Sequence, residues 1–330
     1  MPNPTPSDLH VNALLTEMAL NWMQEDTGWA AEAFFPVVGV QKMSDRYVVY
    51  DRADFYRDEA KPRAPASESA GGNYTLDNTP TYSCMEWAFH KDVAEQDRAN
   101  ADVQVDPDEA AARYVTLKMQ IARERNFAAH AFGLGIWGGT DQQGVAGVPA
   151  ANQFLQWNDS ASTPITELRA AIRAIALTGY RRQIVVGVGY DVWNILQDHP
   201  DLLARIQYGG GPGNPTIVTP QMLAQVLGVQ RVVVADAVYN AAAKGATEDL
   251  QFIYGKACLV AYVTPTPSRE TPSAGYTFAW TGYAGANAYG VRIDTLEAPL
   301  LKATRVEGTQ AFDIKVTAPE LGRYFYNCVA

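Results

Sequence analysis

The stretch that decides the fold is DRADFYRDEAKPRAPASESAGGNYTL, residues 51–76. It sets Arg52, Arg57, Lys61 and Arg63 among Asp51, Asp54, Asp58, Glu59 and Glu68, and it closes on small residues and the pair Gly71 and Gly72. Almost no large aliphatic side chain occurs in it, so it removes little apolar surface from water and cannot stabilise itself. The sequence on both sides is of another kind. Before it, AEAFFPVVGVQKMSDRYVVYD is broken at Pro36 and then reads as strand over 37–40 and 47–50, rich in β-branched and aromatic residues. After it, YTLDNTPTYSCMEWAFHKDV alternates, with Tyr82, Cys84, Glu86 and Ala88 on one face and Ser83, Met85 and Trp87 on the other. Two strands around a polar, glycine-containing tip predict a β-hairpin. With about 15 residues a side it reaches roughly 50 Å at about 3.3 Å per residue. An isolated two-stranded ribbon is marginal in water, so this finger must lie against something.

Working outward, residues 1–30 read as an extended, Pro- and Asn-rich arm with one short helix through Leu14, Leu15, Met18, Ala19 and Trp22. Beyond the finger, DPDEAAARYVTLKMQIARERNFAAHAFG predicts a long helix over 107–132. Asp106 is the N-cap, Pro107 takes the first helical position, Glu109 completes an Asp-x-x-Glu capping pattern, and Gly133 is the stop. Its length is roughly 40 Å at about 1.5 Å per residue, and its apolar face is read through Tyr114, Leu117, Ile121, Ala128 and Phe132. The texture then turns α/β. Thr163-Pro164 opens a helix that Gly179 ends, QIVVGVG is a buried strand, and Pro200 interrupts the helix that follows. YGGGPGNPT is a loop, Thr219-Pro220 opens a helix stopped at Gly228, VQRVVVAD is another buried strand, and DLQFIYGKACLVAYVTP is a third strand region. The last 55 or so residues alternate in β fashion.

The chain has 330 residues, 47% hydrophobic and 19% charged, with 26 Lys and Arg against 36 Asp and Glu for a net charge of −10. This is globular composition without a basic block, a poor match to gripping nucleic acid, whose affinity comes from neutralised phosphates. Three cysteines, Cys84, Cys258 and Cys328, show no CxxC spacing and suit a reducing cytosol rather than a disulfide framework. The first residues, MPNPTPSDLHVNALLTEM, lack a basic segment followed by an apolar run, and no window approaches the roughly 20 apolar residues of a membrane span.

Each candidate for chemistry has a plainer explanation. Gly187-Val188-Gly189 follows an apolar strand, but a dinucleotide fingerprint needs a third glycine where Val192 stands, followed by Trp193. YGGGPGNP, residues 208–215, lacks the Lys-Ser/Thr ending of a phosphate loop. His10, His90, His130 and His199 are scattered, none at metal-ligand spacing. There is no GxSxG elbow, Cys84 lies within a strand six residues from His90, and the seven tryptophans are spread over the chain as packing residues. No catalytic residue, metal or cofactor is expected.

The order of arm, long charged hairpin, long capped helix, α/β module with Thr-Pro-opened helices and β-rich return resembles the major capsid proteins of tailed double-stranded DNA bacteriophages, the HK97-like fold. FFPVVGVQKMSDRYVVYDRADFYRDEA is similar to that family's opening into its hairpin, and YSCMEWAFHKDVAEQDRANAD to the return strand leading to the spine helix that carries ARERNFAA. The resemblance implies an α+β, HK97-like fold with an N-terminal arm (1–40), an extended β-hairpin or E-loop (41–90), a peripheral domain (91–159 and 266–330) holding the spine helix (107–132), and an axial domain (160–265). It implies a structural protein that assembles with itself as hexamers and pentamers into an icosahedral head. The head encloses DNA without binding it sequence-specifically, is assembled in the host cytoplasm and involves no membrane. The inter-subunit contact residues are then Arg52, Asp54, Phe55, Tyr56, Arg57, Asp58, Glu59, Lys61 and Arg63 of the E-loop. A portal and decoration proteins are partners. A separate scaffolding protein is expected, because no long scaffolding segment precedes the arm. The rivals are an encapsulin-type cargo shell of the same fold and a cytosolic α/β nucleotide-binding enzyme built on VVGVG.

Overall fold

Two sheets and one long helix meet on the two consecutive phenylalanines of AEAFF. The computed structural model describes residues 28–100, 106–207, 218–268, 271–282 and 291–330; the expected arm helix through 14–22 and the glycine-rich loop 208–215 lie outside these residues. The short helix Ala31–Phe34 places Phe34 and Phe35 side by side, both fully buried. A Cβ on Gly187 would stand 2.5 Å from the Phe34 ring, and one on Gly275 2.4 Å from the Phe35 ring. Gly187 belongs to one sheet and Gly275 to the other, so each ring lies flush on backbone where any larger residue would hold it off. Phe127 of the long helix closes the group, its ring 5.0 Å from Phe35 and edge-on to it.

The first sheet has five strands. Its spine is the 14-residue strand Ala303–Val316, paired antiparallel to Val291–Ala298 and then Gly275–Trp280 along one edge and to Met85–Ala94 along the other. Val37–Val40 adds in parallel beside Gly275–Trp280. The second sheet runs in the order Arg231–Ala235, Ile184–Gly189, Cys258–Tyr262, Gly322–Tyr326, Gln142–Val145, Gln153–Leu155. Ile184–Gly189 and Cys258–Tyr262 are apolar throughout, and every residue of Ile184–Gly189 is buried. Residues 142–155 and 322–326 therefore pair into the sheet of the 160–265 segment, so the sheets do not divide at 159 and 266. The main core cluster reaches both sheets, and two smaller ones lie against the first.

The long helix runs over Pro107–Ala131, with the Asp106 carboxylate accepting from the backbone N–H groups of Asp108 and Glu109. Its buried stripe is Ala111, Val115, Met119, Glu124, Phe127 and Ala131, not the stripe read through Tyr114, Leu117, Ile121, Ala128 and Phe132. Of those five, Tyr114 is exposed and the others are half-buried. The two stripes lie about one residue, some 100°, apart on a helix with apolar groups on both. Contact with the long strand selects one: a Cβ on Gly308 would stand 2.7 Å from Val115. Thr219 caps its helix by accepting from the Met222 N–H, and that helix ends on Gly228 at φ +68°. Thr163 makes no such bond, and there Pro164 alone marks the start.

Three strand readings need correction. The arms of the finger are not continuous 15-residue strands. Ser44–Arg46 pairs Thr81–Ser83 and Val49–Tyr50 pairs Leu76–Asp77, after which the helical turn Arg52–Phe55 and an irregular tip replace the ladder. Asp51 causes the break: its side chain caps the Ala53 N–H and turns the chain into a helical start. Arg231–Ala235 is an edge strand with only Ala235 buried, and the segment after residue 249 splits into Leu250–Phe252, paired with Val238–Asn240, and Cys258–Tyr262 in the core sheet.

Candidate inter-subunit contact segment

The finger is fixed at its root and free at its tip. Tyr56 donates its hydroxyl hydrogen to the Thr178 carbonyl at 2.9 Å, with its ring end against Gly179, whose φ is +90°. Arg52 reaches Glu320 at 3.6 Å. Asp54 accepts from the Thr75 N–H at 2.9 Å, bracing the two arms, and pairs with Arg57 at 3.5 Å. The bond from Thr75, then the Arg57 charge, holds the Asp54 carboxyl below the usual carboxylate range. Phe55 sits with Tyr50 and Tyr74 in a ring cluster, 5.7 Å from each, and all three are more than half exposed. Asp58, Glu59, Lys61 and Arg63 are exposed and, among the described residues, form no ion pair within 4 Å. The nine residues thus sort into a root group that braces the finger (Arg52, Asp54, Tyr56, Arg57) and an exposed group whose contacts stay within the finger: Phe55 against Tyr50 and Tyr74, Arg63 donating to the Ser67 carbonyl, and Asp58, Glu59 and Lys61.

A second polar centre escaped the sequence reading. Glu124, on the spine helix and nearly fully buried, accepts from the N–H groups of Ala30 and Ala31 and from the Tyr254 hydroxyl. It receives the free N–H groups at the start of the Ala31–Phe34 helix. Burial pushes its carboxyl up, while the bonds from Tyr254, Ala31 and Ala30 pull it back. Arg123 pairs with Glu32 at 2.9 Å, and Arg231 donates to the Ala33 carbonyl at 2.9 Å. Residues 30–33 are therefore tied to the body by three side chains, Glu124, Arg123 and Arg231. In ARERNFAA nothing but the position of the sheet distinguishes Glu124 from its charged neighbours.

The sites of the enzyme rival are filled by the protein itself. Gly187 is covered by Phe34, a Cβ on Gly189 would stand 2.1 Å from the Gly255 carbonyl, and Val192 and Trp193 are buried. Ser162 Oγ lies 3.0 Å from His199 Nε2 in a buried contact. His199 Nδ1 accepts the Asp201 backbone N–H, however, so in the neutral ring Nε2 carries the proton and is not free to take one from the serine. Cys84 Sγ faces the Phe278 carbonyl at 3.4 Å, and burial pushes its thiol up to about 12, the opposite of an activated nucleophile. Among the described residues no cluster of His, Cys, Asp and Glu is placed to hold a metal, and no helix is long and apolar enough to cross a membrane.

No protein-family model matches the chain. A curated major capsid protein of Pseudomonas phage JBD67 is 24% identical over 300 residues, 91% of this chain and 92% of that one. Among solved structures, a phage-related protein from Bordetella bronchiseptica matches with TM-score 0.66 at 19% identity, over 96% of this chain and 97% of that one. The capsid of cyanophage P-SCSP1u matches with TM-score 0.60 at 12% identity, over 97% and 93%. The SrpI encapsulin of Synechococcus elongatus also matches, at 0.55 and 11% over 96% and 95%. The fold is the HK97-like fold of shell-building proteins. Within that class the chain is a homologue of phage major capsid proteins.

Proposed function

We propose that this chain is the major capsid protein of a tailed phage, and that its copies close, as hexamers and pentamers, into an icosahedral head around double-stranded DNA. The relative that matches along nine-tenths of the chain is a phage major capsid protein. The observation that carries the reading is the finger: residues 51–76 hold no buried side chain, yet their root is braced, as suits a lever whose tip packs on another copy. In this proposal Phe55, Asp58, Glu59, Lys61 and Arg63 contact the neighbouring subunit, while Arg52, Asp54, Tyr56 and Arg57 set the angle of approach. Residues 1–40 act as arm, 41–90 as E-loop, 91–159 with 266–330 as peripheral domain and 160–265 as axial domain, with strands Gln142–Val145, Gln153–Leu155 and Gly322–Tyr326 lent to the axial sheet. Each exposed charge pair across the contact contributes only about 0.2–1 kcal/mol, but a closed shell repeats it many times and the contacts reinforce one another. The net charge of −10 suits a wall that must not trap the DNA it encloses. A scaffolding protein, a portal and decoration proteins complete the assembly, which takes place in the host cytoplasm.

The encapsulin match keeps a cargo shell as the second reading, and one experiment separates the two. The chain is expressed with and without the scaffolding protein of its phage, and the large fraction from size exclusion is imaged by electron microscopy. Closed shells that package DNA in the presence of portal and terminase support the head. Shells that retain a host enzyme and take up no DNA support the cargo reading. Small oligomers under every condition contradict both.

A further inference from the structure

The six-stranded sheet is incompletely covered at one end. The helix Pro164–Ala176 lies over Cys258–Tyr262 and Gly322–Tyr326, while the last two strands, Gln142–Val145 and Gln153–Leu155, run on past it. Between the helix and that end of the sheet is a cavity of about 430 Å³, within the roughly 300–1,000 Å³ of small-molecule sites. Its room has a local cause. The helix turns Glu167, Ala170, Ala171 and Ala174 to the cavity, at the spacing of one helix face, and the three alanines leave unfilled what longer side chains would close. Phe154 and Phe325, with ring centroids 5.5 Å apart, line the sheet side.

Two ionisable groups line this space and do not pair with each other. Arg323 is half-buried, and its Nη1 donates to the Gly322 carbonyl at 2.7 Å and the Glu320 carbonyl at 3.4 Å. The Glu320 carboxylate, whose charge favours that of Arg323, is paired with Arg52 instead. Nε and Nη2 of Arg323 have no partner among the described residues. A planar guanidinium with two free nitrogens matches a carboxylate. Glu167, on the helix side, accepts from the Trp157 indole N–H at 2.6 Å. We propose that the cavity binds a small organic carboxylate, with its anionic end on the Arg323 guanidinium and its apolar body between the three alanines and the rings of Phe154 and Phe325. The state of Glu167 sets the charge of the site. Burial pushes its carboxyl up to about 7, against the bond from Trp157 and with the charge of Asp201. The other titratable or charged groups around it are the Cys328 thiol, Arg323 across the cavity and His199 beyond Ser162. Protonated Glu167 leaves the cavity with the single positive charge of Arg323, whereas ionised Glu167 opposes an anionic ligand.

Calorimetric titration of the full chain with naphthoate, and with the matching uncharged alcohol naphthalenemethanol, tests the site. Naphthoate should saturate one site per chain, and the alcohol should bind at least about tenfold more weakly. Arg323→Gln should weaken naphthoate about tenfold while circular dichroism stays unchanged. Ala170 is exposed on the helix, so Ala170→Phe should leave the fold intact and block the cavity, abolishing binding. Raising the pH through about 7 should weaken binding several-fold in the wild-type chain and leave Glu167→Gln unaffected. No saturable binding, equal binding of acid and alcohol, or unchanged binding in both the Arg323 and Ala170 variants overturns the site. Binding is read on single chains and on shells alike, so the outcome is independent of whether the chain builds a head or a cargo shell.

Discussion

The finger and the six-stranded sheet sit in one chain and are held by opposite means. All six residues of Ile184–Gly189 are buried, and rings, strands and helices of the same chain cover them. Residues 51–76 are exposed or half-exposed throughout, braced only at the root by Tyr56, Asp54 and Arg52. The sheet is stabilised by what folds with it. In the proposed shell the finger gains comparable cover from a neighbouring copy. A change in the sheet should therefore be felt in the isolated subunit, and a change in the finger tip only in the assembly.

The largest effect expected is from removing residues 55–73, which should abolish closed shells while leaving a soluble subunit with unchanged helical circular dichroism. Normal shells from that variant would break the comparison at its finger end. At the other end, Phe34→Ala empties the space between Gly187 and Phe127 and should lower subunit stability by about 3–5 kcal/mol, the range for large aromatic truncations in a core, as read by urea denaturation. Next in size is a pH effect. Burial, with Asp201 adding to it and the Trp157 N–H opposing it, pushes the Glu167 carboxyl up to about 7. The folded state then binds more protons than the unfolded one between about 4.5 and 7, so stability should fall as pH rises through that window and level off above it. Glu167→Gln should flatten the slope in thermal melts. The smallest effect is expected from Lys61→Ala or Asp58→Ala. Each should leave the subunit melt within about 0.5 kcal/mol and raise the concentration needed for assembly only slightly, since an exposed pair contributes about 0.2–1 kcal/mol.

The same contrast explains what was legible in the sequence. The poverty of 51–76 in core residues, the Asp106-Pro107 cap, the Thr219-Pro220 start and the buried VVGVG strand are local signals, and the structure has each of them. Partners distant in the chain were not legible. The helix carries two apolar stripes, and only the position of Gly308 shows which is buried. Strand Gly322–Tyr326 reads like its neighbours yet pairs with Cys258–Tyr262 in the other sheet. Glu124 looks like any charge on a helix until Ala30 and Ala31 are brought to it. The continuous hairpin failed for a local reason that was open to view: Asp51 followed by Arg-Ala-Asp-Phe is a helical start as well as a turn.

Hydrogen exchange followed on free subunits and on assembled shells tests the central claim most directly. The account predicts that amides of 55–75 exchange rapidly in the subunit and become strongly protected in the shell, while those of Ile184–Gly189 and Cys258–Tyr262 are equally protected in both. Equal exchange of the finger in the two states would contradict it.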